Sequence, residues 1–158
     1  MPVAAIHEGI RGLVGRFFEE HWGSPEMVIS SGVFDCSQLD GYVWLNEAEE
    51  IVGLITYQIR GEELEIISLD SIEEGKGVGT ALLKEVEKKA RYSHCLRITL
   101  ITTNDNLSAL RFYQKRGYVL SQLLTNAVSK ARERKPEIPL IGKDGIPIRD
   151  ELRLEKFL

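Results

Sequence analysis

Between Ser71 and Ala90 the chain reads SIEEGKGVGTALLKEVEKKA, which places three glycines in five positions and then changes its apolar spacing. Ahead of it, LEIISLDS (64–71) has the composition of a strand. Behind it, Val78, Leu82, Leu83, Val86 and Ala90 recur at helical spacing, with Lys84, Glu85, Glu87, Lys88 and Lys89 opposite. CLRITLIT (95–102) then reads as a second strand. A strand, a glycine loop, a helix and a strand require a crossover, so the two strands are expected to be parallel neighbours. Such a loop also presents backbone N–H groups at a helix N-terminus, where anions bind.

The remaining elements surround this unit. Ile10, Leu13, Val14, Phe17 and Phe18 form one apolar helix face within residues 7–20, which Gly23 and Pro25 bring to an end. GYVWL (41–45) and IVGLITYQIR (51–60) are β-rich runs joined by short turns, the pattern of an antiparallel meander that LEIISLDS completes. NLSALRFYQKRG (106–117) reads as a helix ended by Gly117, and YVLSQLL (118–124) as a strand. Residues 125–150 hold a basic run and then Pro136, Pro139 and Pro147 with Gly142 and Gly145, which predicts a short helix followed by a structured loop. ELRLEKFL (151–158) alternates and reads as a terminal edge strand. The expectation is one α/β domain over residues 1–158, with a central mixed, mostly antiparallel sheet flanked by helices. At 158 residues the chain is long enough for a real core.

Composition narrows the partners. The net charge is −4, which gives no general reason to expect nucleic acid or an anionic membrane. No apolar run approaches membrane-spanning length, and MPVAAIHEGI lacks the features of a signal peptide. The two cysteines, Cys36 and Cys95, are far apart and sit in no CxxC or His/Cys cluster. His7, His21 and His94 are scattered. No metal is expected, and a cytoplasmic setting is.

The loop fits neither common nucleotide pattern. In a phosphate-binding loop of Walker type, Gly75-Lys76 would be followed by Ser or Thr and preceded by a glycine five residues earlier. The dinucleotide fingerprint needs G-x-G-x-x-G and an acid at the end of the next strand; here the spacing is G-x-G-x-G and the strand runs into TTN. A nucleotide-binding module is thus the least favoured of the readings.

Gly75-Lys76-Gly77-Val78-Gly79 instead resembles the Q/R-x-x-G-x-G/A signature of the GNAT family of acyl-CoA-dependent N-acyltransferases, with Gly77 and Gly79 on its two small positions. The family's Arg or Gln falls on Glu74, next to Glu73. Asn106, Ala109, Phe112, Tyr113, Gly117 and Tyr118 are similar to the family's second signature, N-x-x-A-x-x-[hydrophobic]-Y-x-x-x-G-[FY]. The resemblance covers roughly residues 40–124 and rests on two signatures in the right order with a strand between them.

The resemblance implies an N-acetyltransferase that passes the acetyl group of acetyl-CoA directly to a primary amine, on a small molecule or a peptide. It implies that Gly75, Lys76, Gly77, Val78, Gly79 and Thr80 surround the pyrophosphate, and that Leu69, Asp70 and Ser71 offer backbone groups to the pantetheine arm. Asn106 is expected to reach the same arm, or to cap its helix. Tyr113 is implied as the general acid, against the alternative of a core aromatic. Glu65 is the implied base, against the alternative of a solvent-facing strand residue, with Asp70 and Ser68 behind it. Trp22 and the GSPEM segment either line the acceptor pocket or pack. A non-catalytic acyl-CoA sensor of the same fold is the alternative to an enzyme, and a homodimer through the last strand or an exposed edge is expected as one assembly.

Overall fold

A computed structural model describes residues 3–73 and 75–158, which leaves Glu74 of the first signature outside the described residues. Seven strands form one mixed, mostly antiparallel sheet in the order β1-β4-β5-β6-β7-β9-β8: β1 (Val3–Ala5), β4 (Asp40–Leu45), β5 (Ile51–Arg60), β6 (Glu63–Ser71), β7 (Arg97–Thr103), β9 (Glu151–Phe157) and β8 (Val119–Leu124). A separate hairpin pairs β2 (Glu26–Ile29) with β3 (Gly32–Asp35). The helices are α1 (Arg11–Trp22), α2 (Val78–Tyr92), α3 (Leu107–Gln114) and α4 (Ala127–Arg134). Two compact units emerge, one of the chain up to Met27 with Phe34–Ile98 and Leu158, the other of Val28–Val33 with Thr99–Phe157.

In the first unit, β1 pairs with β4, β4 with β5, and β5 with β6, all antiparallel. Residues 51–57 of β5 are all buried, as are 64–68 of β6, so both faces of these strands are covered and strict alternation disappears. The α2 stripe is as expected: Val78, Leu82, Leu83, Val86 and Ala90 are its buried residues. Each such aliphatic side chain contributes about 1.5–3 kcal/mol by leaving water, with Ala90 giving less. α1 buries Val14, Phe17 and Phe18 and continues through Trp22. Gly23 stops it in the left-handed region at φ 83°, its N–H bonded to the Glu19 carbonyl.

In the second unit, β8 pairs antiparallel with β9. The expectation of a terminal edge strand at 151–158 is corrected here: β9 lies inside the strand order and β8 ends it. Leu154 and Glu151 of β9 are buried, whereas Val119, Leu120 and Leu123 of β8 are exposed. Chain order does not dictate strand order once a long connection intervenes. That connection, residues 125–150, is a short helix and an ordered loop. Arg132 donates to the carbonyls of Ile138, Pro139 and Ile148. The Asn104 amide oxygen accepts from the N–H groups of Arg149 and Asp150, and its nitrogen donates to the Pro147 carbonyl. The hairpin tip belongs to the same unit, because the N–H and hydroxyl of Ser30 both donate to Glu151 Oε1.

Two elements were not expected from sequence, β1 and the β2–β3 hairpin. Strands of three or four residues are too short to establish a period.

Candidate active site

β6 hands over to α2 through the glycine loop. Gly75 and Gly77 both have positive φ, 76° and 73°, a region that disfavours any residue with a Cβ. Among the described residues, a Cβ built on either would meet nothing within 4 Å beyond its chain neighbours, so the glycines answer to backbone conformation. Gly77 is the N-cap of α2, and among the described residues no side chain caps it, although its carbonyl accepts from the Ala81 N–H. The N–H groups of a first helical turn have no partner within the helix, and here they follow directly on two left-handed glycines. Lys76 is exposed and lies 3.7 Å from Glu73, so it offers a mobile positive charge beside the loop. The Ser71 hydroxyl donates to the Glu73 carbonyl and tightens the exit from β6.

β6 carries three carboxylates in unlike settings, and Glu63, at its start, pairs with Arg97 at 3.0 Å. Glu65 is buried, which removes the solvent-facing alternative, and its Oε1 accepts from the Arg60 guanidinium at 3.0 Å. Asp70 lies five residues further along. Its Oδ1 accepts from the Trp22 indole at 3.1 Å, while Oδ2 is shielded from solvent and has no hydrogen-bond partner among the described residues. An unsatisfied buried polar atom costs about 1–3 kcal/mol. Burial pushes the Asp70 carboxyl above the usual carboxylate range, and the Trp22 indole and nearby His21 oppose that shift. Between Glu65 and Asp70 a β-bulge breaks the register: Thr56 faces Ser68 but Tyr57 faces Ile66, so Ile67 is the extra residue. The Thr56 and Ser68 hydroxyls are bonded to each other at 2.5 Å, which engages Ser68. Trp22 is thereby assigned a polar role that its position in the sequence did not reveal.

In the second unit, Asn106 caps α3, its side-chain oxygen accepting from the Ala109 N–H. Tyr113 is the buried residue of that helix. Its ring meets Phe112 and Tyr118 edge-on, with centroids 5.1 and 5.4 Å away. Gly117 ends the segment at φ 92°, and the Tyr118 N–H returns to the Tyr113 carbonyl. The same unit holds a cleft of about 740 Å³, lined by Val28, Ile29, Leu123, Leu124 and Ala131 together with Lys130. That volume is in the range of small-molecule sites, which run from about 300 to 1,000 Å³.

Among the described residues no group of three or more His, Cys, Asp or Glu is placed to hold a metal ion. Cys36 and Cys95 are buried and joined in no disulfide among the described residues, and burial raises the Cys95 thiol above its ordinary value. No helix of the described residues is long and apolar enough to cross a membrane.

Residues 8–118 match the acetyltransferase (GNAT) family. The chain is similar to the uncharacterized protein YdhI of Bacillus subtilis (strain 168), at 58% identity over 158 residues, 100% of this chain and 99% of YdhI. Its fold is similar to that of a Bacillus subtilis acetyltransferase in complex with CoA, with a TM-score of 0.69 at 19% identity, covering 99% of this chain and 97% of the other. It is also similar to a GNAT family acetyltransferase from Elizabethkingia anophelis with acetyl-CoA bound, with a TM-score of 0.67 at 18% identity and 99% of each chain covered.

Proposed function

This chain belongs to the acetyltransferase (GNAT) family, and on that premise we propose that it transfers the acetyl group of acetyl-CoA to a primary amine on a small molecule or peptide. The observation that carries the reading is the pair of left-handed glycines, Gly75 and Gly77, in the loop that joins β6 to the N-terminus of α2. N–H groups from Gly75 to Thr80 would hold the pyrophosphate, with the positive end of the helix dipole behind them. The backbone of Leu69, Asp70 and Ser71 would pair with the pantetheine arm, and Asn106 would reach it while capping α3.

The amine must lose a proton before it attacks the thioester carbonyl, and the departing CoA thiolate must gain one. Tyr113 would supply the proton to the thiolate. Glu65, whose Oε1 is held by Arg60, would take the proton of the amine. The acceptor would be selected by the 125–150 segment and the apolar cleft beside α4. A homodimer along β8, where Val119, Leu120 and Leu123 are each more than half exposed, belongs to the same reading and is tested by light scattering.

The first experiment is a thermal-shift series with acetyl-CoA, CoA, ATP and NAD, followed by thiol release with a panel of amines. A ligand that binds only the folded state raises the melting temperature by mass action. Stabilisation by acetyl-CoA with amine-dependent thiol release is expected. Stabilisation without release would make the chain a non-catalytic acyl-CoA sensor, and stabilisation by ATP or NAD alone would overturn both.

A further inference from the structure

The cleft of the second unit has aliphatic walls and a charge of definite sign. Val28 and Ile29 of the hairpin and Leu123 and Leu124 of β8 make up part of its lining. α4 supplies the rest of the apolar wall and the charge. Ala127, Lys130, Ala131 and Arg134 recur at i, i+3, i+4 and i+7, so one helix face brings two small residues and two cations into the lining.

The charges are unequal. Glu133 is the one carboxylate among the described lining residues. Glu151, which pairs with Leu124 across the ladder, stays out of the lining: it is 1% exposed, and its Oε1 takes both the N–H and the hydroxyl of Ser30. Arg134 is already engaged within the fold. Lys130 is exposed, and among the described residues it has no ion pair and no side-chain hydrogen bond.

Such a lining discriminates among amines. A polyamine or an amino sugar needs several carboxylates opposite its ammonium groups, and here it meets aliphatic walls and cations. A plain alkylamine covers the walls and leaves Lys130 unanswered. An amino acid with a large apolar side chain answers both: the side chain leaves water for the aliphatic walls, and the carboxylate accepts from the Lys130 ammonium. We propose that the acceptor of this chain is an amino acid of that class and that Lys130 reads its carboxylate. This names the substrate class for the acetyl-transfer reading given above and rests on it.

The transfer balances with the carboxylate as a bystander. The neutral amine nitrogen forms a C–N bond to the thioester carbonyl carbon. The C–S bond breaks and its electron pair leaves on sulfur. The proton that nitrogen loses is matched by the one the thiolate gains, which yields the N-acetyl amino acid and CoA.

The test measures thiol release from acetyl-CoA by the full chain with L-phenylalanine, L-phenylalaninamide, phenethylamine, glycine and spermidine, each rate referred to the neutral amine present. L-phenylalanine is expected to exceed glycine in kcat/KM by about 100-fold, because glycine leaves the walls bare. It should exceed its amide and phenethylamine, which lack the carboxylate, by about tenfold. In Lys130→Met the advantage over phenethylamine disappears and in Lys130→Arg it stays, a pattern that a general loss of folding does not produce. A preference for spermidine, a rate with L-phenylalanine no greater than with phenethylamine, or a wild-type advantage in Lys130→Met overturns the proposal. A preference for CoA over dephospho-CoA that vanishes in Lys130→Met also overturns it, because the ammonium then serves the 3′-phosphate. Binding is read apart from turnover by titrating N-acetyl-L-phenylalanine into methyl-labelled chain. Shifts of the Val28, Ile29, Leu123 and Leu124 methyl resonances, reached at about tenfold higher concentration in Lys130→Met, support the proposal, and no shift overturns it. A wild type that neither binds acetyl-CoA nor releases thiol with any amine removes the acetyl-transfer reading, and the methyl titration then judges the cleft alone.

Discussion

Gly53 of β5 and Val78 at the start of α2 are packed so closely that a Cβ on Gly53 would lie 2.3 Å from Val78 Cγ1. The helix that follows the glycine loop is therefore seated on the sheet by the lack of a side chain, and the loop's position depends on that seat. Gly53→Ala must push Val78 aside. We expect a loss of about 1–3 kcal/mol, read by urea denaturation, together with weaker acetyl-CoA stabilisation. An unchanged midpoint would mean that Val78 shifts without strain.

A Cβ on Gly77 would meet nothing among the described residues beyond its chain neighbours, so its replacement separates conformation from packing. Its φ of 73° is unfavourable for alanine by about 1–2 kcal/mol. Gly77→Ala is expected to weaken acetyl-CoA binding at least tenfold by calorimetry, because relief of the strain turns the loop N–H groups away. If binding is retained at that stability cost, the loop N–H groups are not the pyrophosphate ligands.

Tyr113→Phe keeps the ring that packs on Phe112 and Tyr118 and removes only the hydroxyl. Thiol release should fall about 100-fold, the ordinary range for loss of a general acid, with KM for acetyl-CoA little changed. A rate equal to wild type would make Tyr113 a core aromatic alone.

Asp70 ties stability to pH with a definite sign. Its folded carboxyl binds a proton more tightly than the unfolded one, since burial raises it. The stability this contributes is fully present below the unfolded carboxylate value and is lost as pH rises through the raised one. Asp70→Asn has no such loss and should melt at or above the wild-type temperature at neutral pH, with the difference closing as the pH is lowered. A variant that melts lower at neutral pH would show that the charge itself stabilises the fold.

Asp150 carries the opposite sign. The Arg149 side chain and the Asn126 N–H hold its carboxyl below the usual range. Its contribution is present above the unfolded value and fades as pH falls through the lowered one. Asp150→Asn should be less stable than wild type at neutral pH and converge with it in acid, measured by thermal melts across pH. Limited proteolysis should find the 136–149 loop opened, because Asp150 is where that loop rejoins β9.

What the amino-acid order determined by itself was local. The apolar stripe of α2, the ten-residue run of β5 and the glycine loop are each written in a period or a backbone preference that neighbours in sequence enforce. Two signatures in the right order then pointed to the family. What only the tertiary structure decided depends on residues far apart. The bulge at Ile67 is a register between two strands, which no run of neighbours within β6 specifies. The burial of Glu65 against Arg60 follows from sheet pairing, as does the inward place of β9. The contact of Trp22 with Asp70 joins a helix end to a strand end across 48 positions. Period and propensity act over a few residues, whereas the partner of a buried acid is chosen by whichever chain segment folds against it.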